Sequence, residues 1–168
     1  MIISLIAALT EKRVIGNKNR IPWHIKDDLI RFRQKTLHHT VIMGRTTFDS
    51  LMGYYRKSGR PIPERNHIIV TRDKTYEVDQ PNCFIIYSVK EALEFAKTIE
   101  KEEVFVSGGA SLFEQTIKFA TRLHLTIVHG EFEGDTYFPE YGDFIKIIGK
   151  EEKKTDTGLA YTFLELER

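Results

Sequence analysis

The stretch at residues 16–32, GNKNRIPWHIKDDLIRF, sets two acids side by side, Asp27 and Asp28, just after a Pro-Trp pair. On a helix beginning near Lys26, Asp27 has Arg31 four residues on, with Gln34 and Lys35 further along the same side. That face should be solvated and should carry an Asp27–Arg31 pair. Asp28 shares the other stripe with Leu29, Phe32 and Thr36, which is apolar and should face the sheet. Burial disfavours the charged form of a carboxylate and raises its pKa. Such a group suits proton delivery, or pairing with a cationic, amidine-like ligand edge. Spacing alone leaves a second reading open, in which Asp28 caps the helix or pairs with a distant base.

Two further places could hold phosphate. In VIMGRTTF (residues 41–48) a strand is followed by Gly44 and then by Arg45, Thr46 and Thr47 at a helix start. Free backbone N–H groups, the helix dipole, a guanidinium and hydroxyls converge there, as a pyrophosphate requires. VFVSGGASLF (residues 104–113) again reads as strand, Gly pair and helix, and glycines permit close backbone approach to a phosphate. Neither matches the dinucleotide fingerprint G-x-G-x-x-G or the P-loop pattern, and each alone is as readily a plain turn. Two of them at the same edge of one sheet favour a phosphate-bearing ligand. VTR (residues 70–72) ends another strand with a hydroxyl and a guanidinium, which would suit one more phosphate.

These residues need a scaffold, and the hydropathy pattern supplies one. Apolar, β-rich runs at residues 2–9, 40–44, 67–71, 83–87 and 104–109 alternate with helical patterns at 29–37, 45 to about 51, 89–99 and 110–120. Ser88-Val89-Lys90-Glu91 has the form of a capping box at the start of the third helix. The tail changes character, with strand patterns at 122–132, 144–154 and 159–167 and no helix between them; TDTG at 155–158 reads as a hairpin turn. The expected fold class is therefore α/β, with a mostly parallel central sheet flanked by helices and an antiparallel C-terminal hairpin edge. Ligands on such sheets sit beyond the carboxyl ends of the strands.

A chain of 168 residues with 25 basic and 24 acidic side chains is expected to form one domain, residues 1–168, with no broad footprint for nucleic acid or an acidic membrane. The single Cys83 excludes an internal disulfide and fits a cytoplasmic setting; within CFIIY it reads as a buried strand residue. The N-terminal MIISLIAAL is too short for a membrane span and lacks the features of a signal peptide. KEEKK at residues 150–154 reads as a solvated strand end or turn. No metal site is expected, and a monomer is the default.

The blocks SLIAAL, VIGNKNRIPWHIKDDLIRF, VIMGRTTFDSL, GRPIPERNHIIVTR, VFVSGGASLFEQ and HLTIVHGEFEGDTYFP, in this order and spacing, resemble those of the bacterial dihydrofolate reductases over essentially the whole chain. The resemblance implies reduction of 7,8-dihydrofolate to tetrahydrofolate, with hydride passing from NADPH to C6 of the pterin. It places Asp28 as the single carboxylate of the pterin pocket, binding the 2-amino and N3 edge and favouring protonation at N5 through water. Thr126 matches a partner of that acid, and Trp23 a residue that holds the nearby water. Ile6, Ala8, Leu29, Phe32 and Leu51 fall at pocket-wall positions. Arg65 matches the residue that pairs with the α-carboxylate of the substrate's glutamate tail.

For the cofactor, the resemblance implies nicotinamide contacts from Ala8 and Ile15, with Gly16 and Asn17 in the loop that closes over it. Gly44, Arg45, Thr46 and Thr47 fall on the pyrophosphate and adenosine side. Thr71 and Arg72, with Arg45, fall where the 2′-phosphate is read, which implies NADPH over NADH. Gly108 and Gly109 match a Gly pair joined by a cis peptide in that family, and Ala110, Ser111 and Leu112 follow on the cofactor side.

Three departures stand out. MGYYRKS (residues 52–58) lies where many relatives pass almost directly to GRP. It reads as a tolerated surface insertion, or alternatively as a source of contacts to the substrate tail from Tyr54, Tyr55, Arg56 or Lys57. Ser107 replaces an apolar pocket residue, and Ala110 replaces a third Gly. Two competing readings are a reductase of the same fold acting on another pyrimidine-like substrate, and an NADPH-binding module without catalysis; neither needs the Trp23…Asp28 arrangement.

Overall fold

The computed structural model describes residues 1–168. In chain order the elements are β1 (Ile2–Thr10), β2 (Val14–Gly16), α1 (Lys26–Thr36), β3 (Thr40–Gly44), α2 (Arg45–Ser58), β4 (Asn66–Val70), β5 (Cys83–Ile86) and α3 (Val89–Ile99). They continue with β6 (Glu103–Val106), α4 (Ala110–Thr116) and a 3-10 turn at Ile117–Phe119, then β7 (Arg122–His129), β8 (Thr136–Tyr137), β9 (Lys146–Lys154) and β10 (Ala160–Glu167). Eight strands form one sheet in the order β5-β4-β3-β6-β1-β7-β10-β9, and β2 pairs with β8 in a small second sheet. Every neighbour pair from β5 to β7 is parallel, and β10 runs antiparallel to both β7 and β9. The expected α/β sheet with an antiparallel hairpin edge is what forms.

The alternation of each strand divides its side chains between two cores. Leu5 and Leu9 of β1 and Leu123 and Leu125 of β7 lie in the larger core with α3 (Ala92, Leu93, Ala96) and α4 (Leu112, Phe113). Ile6 points the other way, with Met43, Phe105 and Phe48, Met52 and Tyr55 of α2. Phe32 of α1 and Leu51 of α2 pack against this second core. The face that carries Ile6, Ala8 and Thr126 is thus the one covered by α1 and α2, the helices that bear Asp28 and Arg45.

Two elements differ from expectation. The second helix does not stop near Leu51 but runs on to Ser58, absorbing MGYYRKS as nearly two further turns. Glycine stops it: Gly59 takes a left-handed backbone (φ 65°), which side-chain-bearing residues rarely adopt, and Pro61 follows. The segment is therefore helical, with Met52 and Tyr55 turned inward and the rest at the surface. At residues 110–120 the α-helix ends at Thr116 and a 3-10 turn completes the run. Ser88 does cap α3, accepting a hydrogen bond from the Glu91 N–H at 3.2 Å. KEEKK lies within the exposed edge strand β9, and Cys83 is half-buried in β5.

Candidate active site

Asp28 lies in the first turn of α1, where its own N–H donates to the Ile25 carbonyl at 3.1 Å. Its carboxylate reaches across to the sheet, and the Thr126 hydroxyl donates to Oδ1 at 2.5 Å. Thr126 is fully buried and pairs in register with Ala8 on β1 and Phe163 on β10, so acid, hydroxyl and Ala8 share one level of the sheet. Burial raises the Asp28 pKa above the ordinary carboxylate value; the Thr126 hydrogen bond and the charge of Arg31 act in the opposite direction. No base forms an ion pair with Asp28. A desolvated carboxylate held by one hydroxyl, with no cationic partner, can take a proton or receive a ligand's N–H edge.

Asp27 does not pair with Arg31. The Lys153 ammonium lies 3.0 Å from Asp27 Oδ2 and the Tyr161 hydroxyl donates to the same oxygen at 2.8 Å. Those two hydrogen bonds, Lys153 first, hold the Asp27 pKa below its ordinary value. Arg31 instead turns toward the sheet, where its guanidinium stacks 4.7 Å from the Phe163 ring centroid and Nη2 lies 3.2 Å from Glu165. The i,i+4 pair is lost because the β9–β10 hairpin offers each charge a partner at a surface that is partly desolvated. Nothing in local spacing signals this, since Tyr161 and Glu165 are more than 130 residues away.

Of the expected pocket-wall residues, Ile6 is buried and Ala8, Phe32 and Leu51 are half-buried. Leu29 differs from expectation: it is 40 % exposed rather than packed on the sheet, because the inward positions of this short helix go to Asp28, Arg31, Phe32 and Thr36. Trp23 stacks edge-on against Phe132 at 5.3 Å in a small cluster with Ile25, Val128 and Tyr161, which anchors the entry into α1. The Ser107 hydroxyl is buried without a hydrogen-bond partner at the end of β6. Arg65 is 4 % exposed; its guanidinium donates to Thr36 Oγ1 at 2.6 Å and stacks 5.0 Å over Phe32.

The second half of the site lies beyond β3 and β6. Gly44 donates its N–H to the Gly108 carbonyl at 2.8 Å, joining the two strand ends, and the Gly108–Gly109 peptide is cis. No side chain caps the N-terminus of α2, so its first-turn N–H groups stay available, with Arg45 and Thr46 exposed and Thr47 half-buried beside them. A Cβ on Gly44 would lie 3.7 Å from Leu112, and one on Gly109 would lie 3.7 Å from the Thr47 hydroxyl. The two glycines therefore keep open a cradle that side chains would fill, and the residues present fit a pyrophosphate. Ala110 and Ser111 begin α4 behind it.

Thr71 is buried at the end of β4, its hydroxyl accepting from the Asp73 N–H at 3.1 Å, while Arg72 is exposed. Arg45 lies 3.6 Å from Asp73, so Arg45, Thr71 and Arg72 gather at one corner. Ile15 and Gly16 lie in β2, and Asn17 exchanges backbone hydrogen bonds with Arg20 (2.8 and 3.0 Å) to close a tight turn.

Two cavities of about 500 and 550 Å³ open elsewhere. One separates α1 from the β9–β10 hairpin and the other lies between the β2 turn and residues 131–134; neither is lined by Asp28, Ile6 or Ala8. The charges of the first, among them Asp27, Lys153, Arg31, Lys35 and Glu165, pair with one another.

The fold is an α/β sheet whose strand order reverses between β3, β6 and β1, and the carboxyl ends of parallel strands at such a point are where enzymes of this class bind their ligands. The sequence profile of the family described as "Dihydrofolate reductase" matches residues 2–168. A dihydrofolate reductase of Bacillus subtilis is 38 % identical over 162 residues, covering 96 % of this chain and 90 % of that protein. One from Buchnera aphidicola is 36 % identical over 173 residues, covering 100 % and 99 %. A solved dihydrofolate reductase from Enterococcus faecalis, complexed with NADP(H) and RAB-propyl, superposes with a TM-score of 0.83 at 29 % identity, covering 99 % of this chain and 96 % of that one. The chain belongs to the dihydrofolate reductase family.

Proposed function

We propose that this chain reduces 7,8-dihydrofolate with NADPH, and that Asp28 is the group that makes the pterin protonatable. The observation that carries the reading is the Asp28 carboxylate, desolvated against the sheet, held by Thr126 and free of any ion pair. The pterin's 2-amino and N3 edge would lie against this carboxylate, between Ile6, Ala8, Phe32, Leu51 and Leu29. Bound NADPH would supply the hydride for C6. Asp28, with Trp23 nearby, would favour delivery of a proton from water to N5 through the negative charge that the acid holds at the opposite edge of the ring.

Gly44, Arg45, Thr46 and Thr47, with Gly108 to Leu112, would hold the pyrophosphate and adenosine side. Arg45, Thr71 and Arg72 would read the 2′-phosphate, a doubly charged group that a guanidinium matches in geometry. Ala8, Ile15, Gly16 and Asn17 would border the nicotinamide, and Arg65 the glutamate tail. The reading includes one domain over residues 1–168, a monomer and a cytoplasmic setting; no helix is long and apolar enough to cross a membrane. Loss of nicotinamide absorbance on adding dihydrofolate tests it, with NADPH and NADH in parallel. Rapid oxidation of NADPH, with NADH far slower, is expected. NADPH binding without turnover would sink the pterin half.

A further inference from the structure

Arg65 carries a positive charge into the interior without a counter-ion. At 4 % exposure, its Nη1 donates to Thr36, its face is covered by Phe32, and its Nε is buried with no partner. Arg33, the other charge acting on it, is a cation, and no carboxylate of the chain pairs with it. A buried guanidinium with an unfilled donor is poorly satisfied in the free protein and asks for an anion.

The one remaining hydrogen-bond partner is the Tyr55 hydroxyl, 3.5 Å from Nη2, a long contact. Tyr55 belongs to the part of α2 that runs on past Leu51, and it is 7 % exposed, set among Phe48, Met52 and Ile69. In this contact the phenol oxygen accepts from Arg65, and the phenol's own proton meets no acceptor in the chain. Burial also pushes the phenol pKa up, so the group stays a donor. Thr36 takes Nη1 and is fully buried, and Phe32 covers one face of the guanidinium, which leaves the Nη2 side, where Tyr55 stands, for an anion.

We infer that Tyr55 and Arg65 form a two-donor clamp for the α-carboxylate of the substrate's glutamate tail, with the extended α2 supplying the second donor and making Tyr55 a specificity-determining residue. The inference rests on the assignment of Arg65 to that tail. A carboxylate placed between the two would accept from the guanidinium and from the phenol, satisfying both at once. The clamp acts on ground-state binding and lies far from the reacting atoms, so it alters KM and leaves kcat alone.

Tyr55→Phe tests this, because it keeps the buried ring and removes only the hydroxyl. Steady-state kinetics are measured with dihydrofolate and with 6,7-dimethyl-7,8-dihydropterin, which has no tail; Arg65→Lys serves as a control for the tail site. The expected result is a KM for dihydrofolate raised about tenfold in Tyr55→Phe, the loss of one charge-assisted hydrogen bond, with kcat unchanged and the dihydropterin constants unaltered. An unchanged KM for dihydrofolate in Tyr55→Phe, while Arg65→Lys raises it, would overturn the role of Tyr55 alone. Equal losses for both substrates would reduce Tyr55 to core packing and overturn it too. If Arg65→Lys also leaves the dihydrofolate KM unmoved, the tail assignment itself fails and takes the clamp with it.

Discussion

Replacing Thr126 by Val keeps the shape of a fully buried β7 side chain and deletes the hydroxyl that donates to Asp28 at 2.5 Å. That hydrogen bond favours the ionised carboxylate and is the foremost influence opposing the burial that raises its pKa. A hydrogen bond to a charged group contributes about 1.5–3 kcal/mol. One pH unit corresponds to about 1.4 kcal/mol, so losing even the lower figure moves the Asp28 titration upward by about one unit. Carbon-13 NMR of the labelled carboxyl reads this directly, and the acidic limb of kcat/KM against pH should move with it. Stability should fall at neutral pH, where the ionised acid loses its partner, and recover in acid, where the proton replaces the charge. Thr126→Ser, which retains the donor, should leave the titration in place. A Thr126→Val titration that coincides with wild type, or one that Thr126→Ser moves equally, would show that the hydroxyl does not govern Asp28.

Asp28→Asn should lower turnover at neutral pH by about 10²–10⁴-fold, less in acid, where solvent protonates the substrate directly. Because the folded-state pKa of Asp28 is raised, its ionisation opposes folding above the ordinary value of 3.8. The Asn variant should therefore be the more stable protein at pH 7 in urea unfolding, an advantage that vanishes as the pH falls toward 4; equal stability at pH 7 would count against a desolvated carboxylate. A Cβ on Gly134 would stand 2.2 Å from Val14 and 2.9 Å from the Gly16 carbonyl, so Gly134→Ala must push β2 away from β8. It should cost about 1–3 kcal/mol of stability and raise the KM for NADPH, and a wild-type KM would detach β2 from the cofactor site. Burial would raise the Glu165 pKa, but Lys35, His124 and Arg31 outweigh it and hold it below 4.5. Its contribution is present above that value and lost as pH falls through the lowered one, so Glu165→Gln should cost about 1 kcal/mol at pH 7 and nothing at low pH, as read by pH-dependent thermal unfolding.

The separation of the two adjacent acids was legible from helical period alone in one respect and hidden in another. Period placed Asp28 on the sheet-facing stripe, and a single inward carboxylate follows from that. It also made Asp27 and Arg31 neighbours, and there the local rule lost, because Lys153, Tyr161 and Glu165 come from a hairpin folded back from the far end of the chain. Leu29 shows the same limit, since a stripe on an 11-residue helix has more apolar positions than the sheet below can cover.

By itself, the sequence determined the strand–helix alternation, the glycines at the ends of β3 and β6, and the chemical identity of the acid, hydroxyl and guanidinium groups. These are properties of side-chain type and short-range period, and they do not depend on what packs above them. The resemblance named Thr126 as a partner of Asp28, but helical period and short-range spacing could not, and the direct hydrogen bond across 98 residues comes from the docking of α1 on β7. Tertiary structure alone decided that MGYYRKS continues a helix and delivers the Tyr55 hydroxyl to a buried, unpaired Arg65. The physical reason is the same in each case. A buried charge takes the partner that the sheet register and helix docking bring within hydrogen-bond reach, and a desolvated group gains more from that partner than from any neighbour along its own helix.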